Sequence, residues 1–156
     1  MKRVLFISSG GGHLNELLKL SPMFKKYNYH IITEKNKSTK YLKDDYGKKV
    51  SYLIYGTKKQ IVLYPFVLLI NSIISLIYFI KYRPKYIVTT GTHTAGPMCC
   101  IGKLFHSKII YIETFANINS KTATWKIIYK FADLFVVQWE SMLKVYPKAT
   151  YGGWIF

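Results

Sequence analysis

Six consecutive residues near the amino terminus, Ser8-Ser9-Gly10-Gly11-Gly12-His13, carry the strongest chemical signal in the chain. They follow the apolar run 4–7 and precede a helical pattern that begins near Leu14. A strand that ends in glycines and opens into a helix makes an anion site. Glycine lets backbone amides come close to a ligand, and the first-turn amides and dipole of the helix favour phosphate oxygens. Diphosphates are therefore the first ligand class to consider. The run lacks the GxGxxG spacing of a dinucleotide fingerprint and the Lys-Ser/Thr ending of a P-loop. A tight turn between strand and helix would use the same glycines. His13 falls in the first helical turn, where an imidazole can donate to a phosphate, accept a proton from an attacking hydroxyl, or cap the helix.

Three further segments carry polar groups that could share a site: Thr90-Gly91-Thr92-His93-Thr94-Ala95-Gly96, Glu113-Thr114-Phe115-Ala116-Asn117 and Gln138-Trp139-Glu140. The elements that must position them alternate. Strands are expected at 4–8, 29–33, 50–55, 86–90, 108–113 and 134–137, and helices at 14–26, 38–46, 64–82, 95–105, 123–132 and 141–146. This alternation is the pattern of an α/β fold, a Rossmann-like parallel sheet with helices on both faces. Ligands bind such sheets at the carboxyl ends of the strands. All four polar segments follow expected strands, so they converge on one rim.

The chain has 156 residues, 50% of them apolar, which suits one domain, 1–156, with a buried core. Its 23 Lys and Arg outweigh 7 Asp and Glu, and a net charge of +16 calls for a polyanionic neighbour: lipid, nucleic acid or phosphorylated substrate. The aromatics are spread through apolar segments and not interleaved with Arg in one patch, so nucleic acid is not expected. Cys99 and Cys100 are adjacent in an apolar stretch, which supports neither a disulfide framework nor a zinc site. No metal or cofactor is expected, and the amino terminus does not read as a signal peptide.

The segment 61–80 has no charged residue. As a helix it would reach about 30 Å, enough to span a bilayer. Topology argues for another placement. A crossover between the third and fourth parallel strands must return to the same sheet, whereas a single crossing would separate the Gly10–His13 loop from the Gly91–Gly96 loop. A membrane-interfacial helix at about 61–82 reconciles the two. Lys58, Lys59, Lys81, Arg83 and Lys85 flank it for anionic headgroups, Tyr64, Tyr78 and Tyr82 suit the headgroup level, and Phe66, Leu69, Ile73 and Ile77 supply apolar contact. A crossover helix buried on nearly all sides is the alternative.

Together these motifs resemble the N-terminal half of the MurG-like GT-B glycosyltransferases. They are closer still to the split form: the membrane-associated subunit of the dolichol-pathway N-acetylglucosaminyltransferase and its bacterial PssD and EpsE-type capsule and exopolysaccharide counterparts. The matching segments are the Gly10 to His13 loop, the helix at 64–82, Arg83-Pro84-Lys85-Tyr86-Ile87-Val88, the stretch from Thr90 to Pro97, Tyr111-Ile112-Glu113 and Gln138-Trp139-Glu140. Where the family reads Gly-Gly-Thr-Gly-Gly-His, this chain reads Ser-Ser-Gly-Gly-Gly-His.

The resemblance implies a half-enzyme on the cytoplasmic face of the membrane, peripheral or monotopic. It would bind a polyprenyl-diphosphate-linked acceptor while a separate donor-binding subunit holds most of the UDP-sugar. On that basis His13 and Glu113 are candidate catalytic groups. Gly10, Gly11, Gly12, Thr90, Gly91, Thr92, His93, Gly96 and Asn117 are candidate substrate contacts, with no family role for His93. The ending Tyr151-Gly152-Gly153-Trp154-Ile155-Phe156 would dock the partner or pack on its own sheet. A non-catalytic anchor that recruits a complete transferase is the rival from another class. A Rossmann nucleotide-binding enzyme is a third reading, with Glu34 as its only candidate ribose contact.

Overall fold

The computed structural model describes residues 1–56, 63–91, 93–120 and 125–156. Lys58, Lys59 and Thr92 lie outside the described residues, as do the first residues of the helix expected at 123 and of the apolar segment at 61.

Among the described residues seven strands form one parallel sheet: β1 (Arg3–Ile7), β2 (Asn28–Lys35), β3 (Val50–Ile54), β4 (Tyr86–Thr89), β5 (Lys108–Ile112), β6 (Leu134–Val137) and β7 (Thr150–Tyr151). Their spatial order is β3-β2-β1-β4-β5-β6-β7. Because the chain winds outward from β1 in one direction and resumes at β4 in the other, a crevice opens at the carboxyl ends of β1 and β4. The loops carrying His13 and Thr90 meet there.

Alternation along β1 divides the core. Val4 and Phe6 join Leu14, Leu17 and Phe24 on one face, and Leu5 and Ile7 join Phe79, Met98 and Tyr111 on the other. The first face is covered by α1 (Gly12–Lys19), α2 (Ser21–Phe24) and α3 (Leu42–Tyr46), and the second by α4 (Tyr64–Tyr82) and α5 (Gly96–Leu104). Helices α6 (Trp125–Phe131) and α7 (Ser141–Val145) complete the order. The helix expected at 14–26 starts two residues earlier and breaks at Leu20, before Pro22 in the first turn of α2. The one expected at 38–46 shrinks to α3, because the Asn36 and Thr39 side chains bond their own turn instead. The carboxyl-terminal residues add β7 and then pack: the Ile155 amide donates to Gln138 Oε1 at 3.1 Å, and Ile155 and Phe156 join the first face.

Helix α4 overturns the alternative of a crossover helix buried on nearly all sides. It packs on one side only, and the side turned to the sheet carries its polar residues. Asn71 and Ser75 are buried with Phe79, while Phe66, Leu69, Ile70, Ile73, Leu76, Ile77 and Ile80 are exposed. The Asn71 amide works like one more strand residue: the Ile54 N–H donates to Oδ1 and Nδ2 donates to the Ile54 carbonyl, both at 2.8 Å. Both backbone groups at the end of β3 are thereby satisfied. Tyr78 and Tyr82, expected at the headgroup level, instead point at β3: the Tyr78 hydroxyl donates to the Tyr52 carbonyl and the Tyr82 hydroxyl bonds Ser51. Leu104 and Phe105, at the end of α5, are also exposed, and Phe105 stacks on Phe79. The apolar outer surface therefore extends beyond α4.

Candidate functional site

His13 is held by a reciprocal joint across the β1/β4 crevice. Its Nδ1 lies 2.9 Å from the Thr90 carbonyl, and the Thr90 hydroxyl donates to the His13 carbonyl at 2.7 Å. A carbonyl can only accept, so Nδ1 carries a proton, and the neutral form of the ring has its lone pair at Nε2. The side chain is 28% exposed, enough to meet a ligand at the rim. Gly91 permits this approach. It has φ 103°, and a Cβ there would lie 3.6 Å from the His13 ring and 3.0 Å from the Tyr111 hydroxyl.

The glycine loop ends in Gly11 at φ 79°, which caps α1, and the helix begins at Gly12. The amides of Gly12, His13 and Leu14 have no carbonyl one turn back to bond, which is the arrangement that takes an anion. The Gly10 amide is directed elsewhere, to Glu34 Oε2 at 3.4 Å. The amides open to an anion are thus those of the helix start and not all three glycines.

Two carboxylates build the rest of the rim: Glu34, expected only as the ribose contact of the third reading, and Glu16, which is not among the expected site residues. Glu34, at the carboxyl end of β2, is 3% exposed. Besides the Gly10 amide it accepts the Thr94 hydroxyl at Oε1 (2.5 Å), and His93 Nε2 lies 3.8 Å from the same oxygen. It therefore joins the loop after β1 to the 3-10 turn His93–Ala95 after β4. Glu16, one turn along α1 from His13, accepts the Thr114 hydroxyl at 2.7 Å and the Phe115 amide at 3.1 Å through Oε1. Its Oε2, which has no hydrogen-bond partner among the described residues, lies 3.9 Å from His13 Nδ1. The i, i+3 spacing from His13 is the signal that could have found Glu16, whereas the strand-end place of Glu34 is legible but its role as a tie between loops is not.

Glu113 lies deeper, 1% exposed, with the Thr114 amide on Oε1 at 3.1 Å and the Tyr146 hydroxyl donating to Oε2 at 3.2 Å. Gln138 Nε2 donates to its carbonyl at 3.0 Å. Asn117 is engaged within its own loop, where Nδ2 donates to the Ser120 carbonyl and Oδ1 accepts from Ser120. Gly96 opens α5, where a Cβ would meet open space. His93 packs edge-on against Tyr64, the first residue of α4, with centroids 5.4 Å apart. Trp139 donates to the Phe115 carbonyl at 2.8 Å and forms an aromatic group with Phe115 and the exposed Trp154.

The structure thus brings Gly10, Gly11, Gly12, His13, Thr90, Gly91 and His93 to one crevice, with Glu113 and Asn117 in the adjoining loop tied to it through Glu16. Phe66, Leu69, Ile73, Ile77, Lys81 and Arg83 are exposed along and beyond α4.

Sheet order and crossover are those of the Rossmann-like N-terminal half of the GT-B fold. MurG of Acinetobacter baumannii superposes with a TM-score of 0.71 at 15% identity, over 90% of this chain and 43% of that one. UDP-GlcNAc 2-epimerase from Methanocaldococcus jannaschii does so with a TM-score of 0.69 at 14% identity, over 97% and 45%. The chain spans less than half of either structure. Residues 4–155 match the family described as oligosaccharide biosynthesis protein Alg14 like, and the chain belongs to that family. The UDP-N-acetylglucosamine transferase subunit ALG14 of Kluyveromyces lactis is 31% identical over 191 residues, spanning 96% of this chain and 77% of that protein.

Proposed function

We propose that this chain is the membrane-associated, acceptor-binding subunit of a two-component glycosyltransferase. It transfers a sugar from a UDP-sugar to a polyprenyl-diphosphate-linked sugar, on the cytoplasmic face of the membrane, in capsular or exopolysaccharide synthesis. The observation that carries this reading is the junction of helix and site: α4, with its exposed apolar face, starts at the rim that holds His13, where Tyr64 touches His93. A lipid whose tail lies along that face presents its diphosphate to the first-turn amides of α1. Kinship with a protein named as a transferase subunit supports both the reaction class and a partner.

In the reaction, His13 Nε2 takes the proton of the acceptor hydroxyl as its oxygen bonds the anomeric carbon of the donor sugar, and the bond from that carbon to UDP breaks. Glu16 Oε2 faces the imidazolium so formed, 3.9 Å from Nδ1. UDP departs on the partner, which holds most of the donor, and the chain itself requires neither metal nor cofactor nor nucleic acid. Glu113, with both oxygens engaged below the surface, acts by holding the loop after β5 rather than as the base.

The test is transfer from a radiolabelled UDP-sugar panel to polyprenyl-diphosphate acceptors in membranes, with this chain, a candidate donor-binding subunit, or both. Activity only with both supports the split transferase. Activity of the partner alone, merely enhanced by this chain, makes the chain an anchor.

A further inference from the structure

On the edge of the sheet opposite the rim, the amino ends of β1 and β2 and the last turn of α4 enclose a recess of about 310 Å³. Its floor is rigid. His30 Nε2 bonds Ser51 Oγ and Ser51 Oγ bonds the Tyr82 hydroxyl, each at 2.9 Å, while the His30 and Tyr82 rings stack 3.7 Å apart. Lys49 Nζ rests over the Tyr29 ring at 4.0 Å and Lys81 Nζ over the Tyr82 ring at 5.2 Å, and Arg3 is the third cation of the lining. The two ammonium groups are therefore steadied by aromatic faces at the mouth.

No carboxylate lines the recess, and among the described residues none of the three cations forms an ion pair. Lys103 and Lys108, elsewhere on the same edge, are both neutralised by Asp133, at 3.1 and 2.8 Å. The local field registers on His30. Burial, then the positive charges of Lys81 and Lys49, hold its imidazole down to about 4. A concave, positive, uncompensated site selects a compact anion. Its place selects the source. Lys81 follows Ile80 of the exposed apolar face, so when that face lies among acyl chains the recess stands at headgroup level.

We propose that this recess binds the phosphate headgroup of an anionic phospholipid through Lys49, Lys81 and Arg3. It is separate from the acceptor diphosphate site, since the five residues of β1 alone set the two edges about 15 Å apart. The proposal rests on the membrane seat of α4 and not on the transfer reaction.

Flotation of the full chain with vesicles of phosphatidylcholine, or of phosphatidylcholine with phosphatidylglycerol, tests it. Lys49→Gln with Lys81→Gln is compared with a charge-matched pair remote from the recess, Lys144→Gln with Lys148→Gln. The first pair should lower partitioning onto phosphatidylglycerol vesicles about tenfold more than the second, with binding to phosphatidylcholine alone and the thermal midpoint retained in both. Equal losses would overturn the site and leave only diffuse attraction. So would a wild-type chain indifferent to phosphatidylglycerol. A wild-type chain that floats with neither vesicle would overturn the membrane seat as well, whatever the transfer assay shows. Inorganic phosphate, followed by the His30 and Tyr82 ring resonances, separates the sources: binding as tight as that to the lipid vesicles would make the ligand a soluble phosphate and overturn the lipid assignment.

Discussion

The two edges of the sheet are built on opposite principles. At the carboxyl edge, three of the seven acidic residues in a chain of net charge +16, Glu16, Glu34 and Glu113, lie under the loops and stitch them together. At the amino edge, among the described residues, Arg3, Lys49 and Lys81 stand without carboxylate partners beside an apolar helix face, while Asp133 pairs Lys103 and Lys108 farther along. Buried carboxylates are stable only when their hydrogen bonds are made, so the first edge is held in one geometry. At the second edge the lysines are steadied only by aromatic faces and their charge is left uncompensated. On the proposed function, order serves the edge that positions reacting atoms, and charge the edge turned to a surface.

The largest effect expected from breaking this division is at His13. His13→Ala should lower turnover about 10²- to 10⁴-fold while leaving vesicle partitioning unchanged. His13→Asn sharpens the test, because its side-chain amide can still donate to the Thr90 carbonyl. Both variants should lose turnover. Only the alanine variant should also lose thermal stability, by about 1 kcal/mol for the missing joint. Full turnover in the asparagine variant would mean that the imidazole serves the joint alone.

Next in size is the apolar face. Ile73→Glu with Ile77→Glu should weaken vesicle binding by roughly tenfold or more for each side chain removed from the interface. The thermal midpoint should not fall, because both positions are already exposed in the fold. Unchanged flotation would place the membrane contact elsewhere.

Period and punctuation made the fold legible: six strands fall within two residues of their expected ends, and the helix at 64–82 has the bounds its apolar run implies. Position at strand ends also made the rim legible, since His13, Thr90 and Gly91 meet there as the alternation requires. What escaped the sequence was pairing across distance. Nothing local shows that Glu34 reaches Thr94, sixty residues away, or that Glu16 reaches Thr114, because such bonds depend on which loops the topology brings together. The inward side of α4 escaped for a different reason. A polar residue in an apolar helix is ordinarily assigned to the solvent side, and Asn71 reverses the rule because the end of β3 offers it two backbone partners.

Asn71→Leu therefore separates fold from membrane seat in the sense opposite to the isoleucine pair. It strands the Ile54 N–H and carbonyl and should lower stability by about 2 kcal/mol in thermal or denaturant unfolding, with partitioning retained in the folded protein. A variant as stable as the wild type would show that water replaces the amide at that strand end.

The smallest effect at neutral pH belongs to His30. Its folded titration lies at about 4 against an ordinary value of 6.5, so between these limits the unfolded chain binds the extra proton and stability falls as the pH falls. Above about 6.5 both states are neutral at this position and the contribution is fully present. His30→Phe can keep a ring stacked on Tyr82 and leaves the Ser51–Tyr82 bond in place, so at pH 7 it should cost only about 1 kcal/mol for the lost hydrogen bond to Ser51. Between pH 6.5 and 4 its unfolding free energy should decline less steeply than that of the wild type. Parallel slopes would mean that His30 titrates alike in both states, so that neither its burial nor the two lysines hold it down.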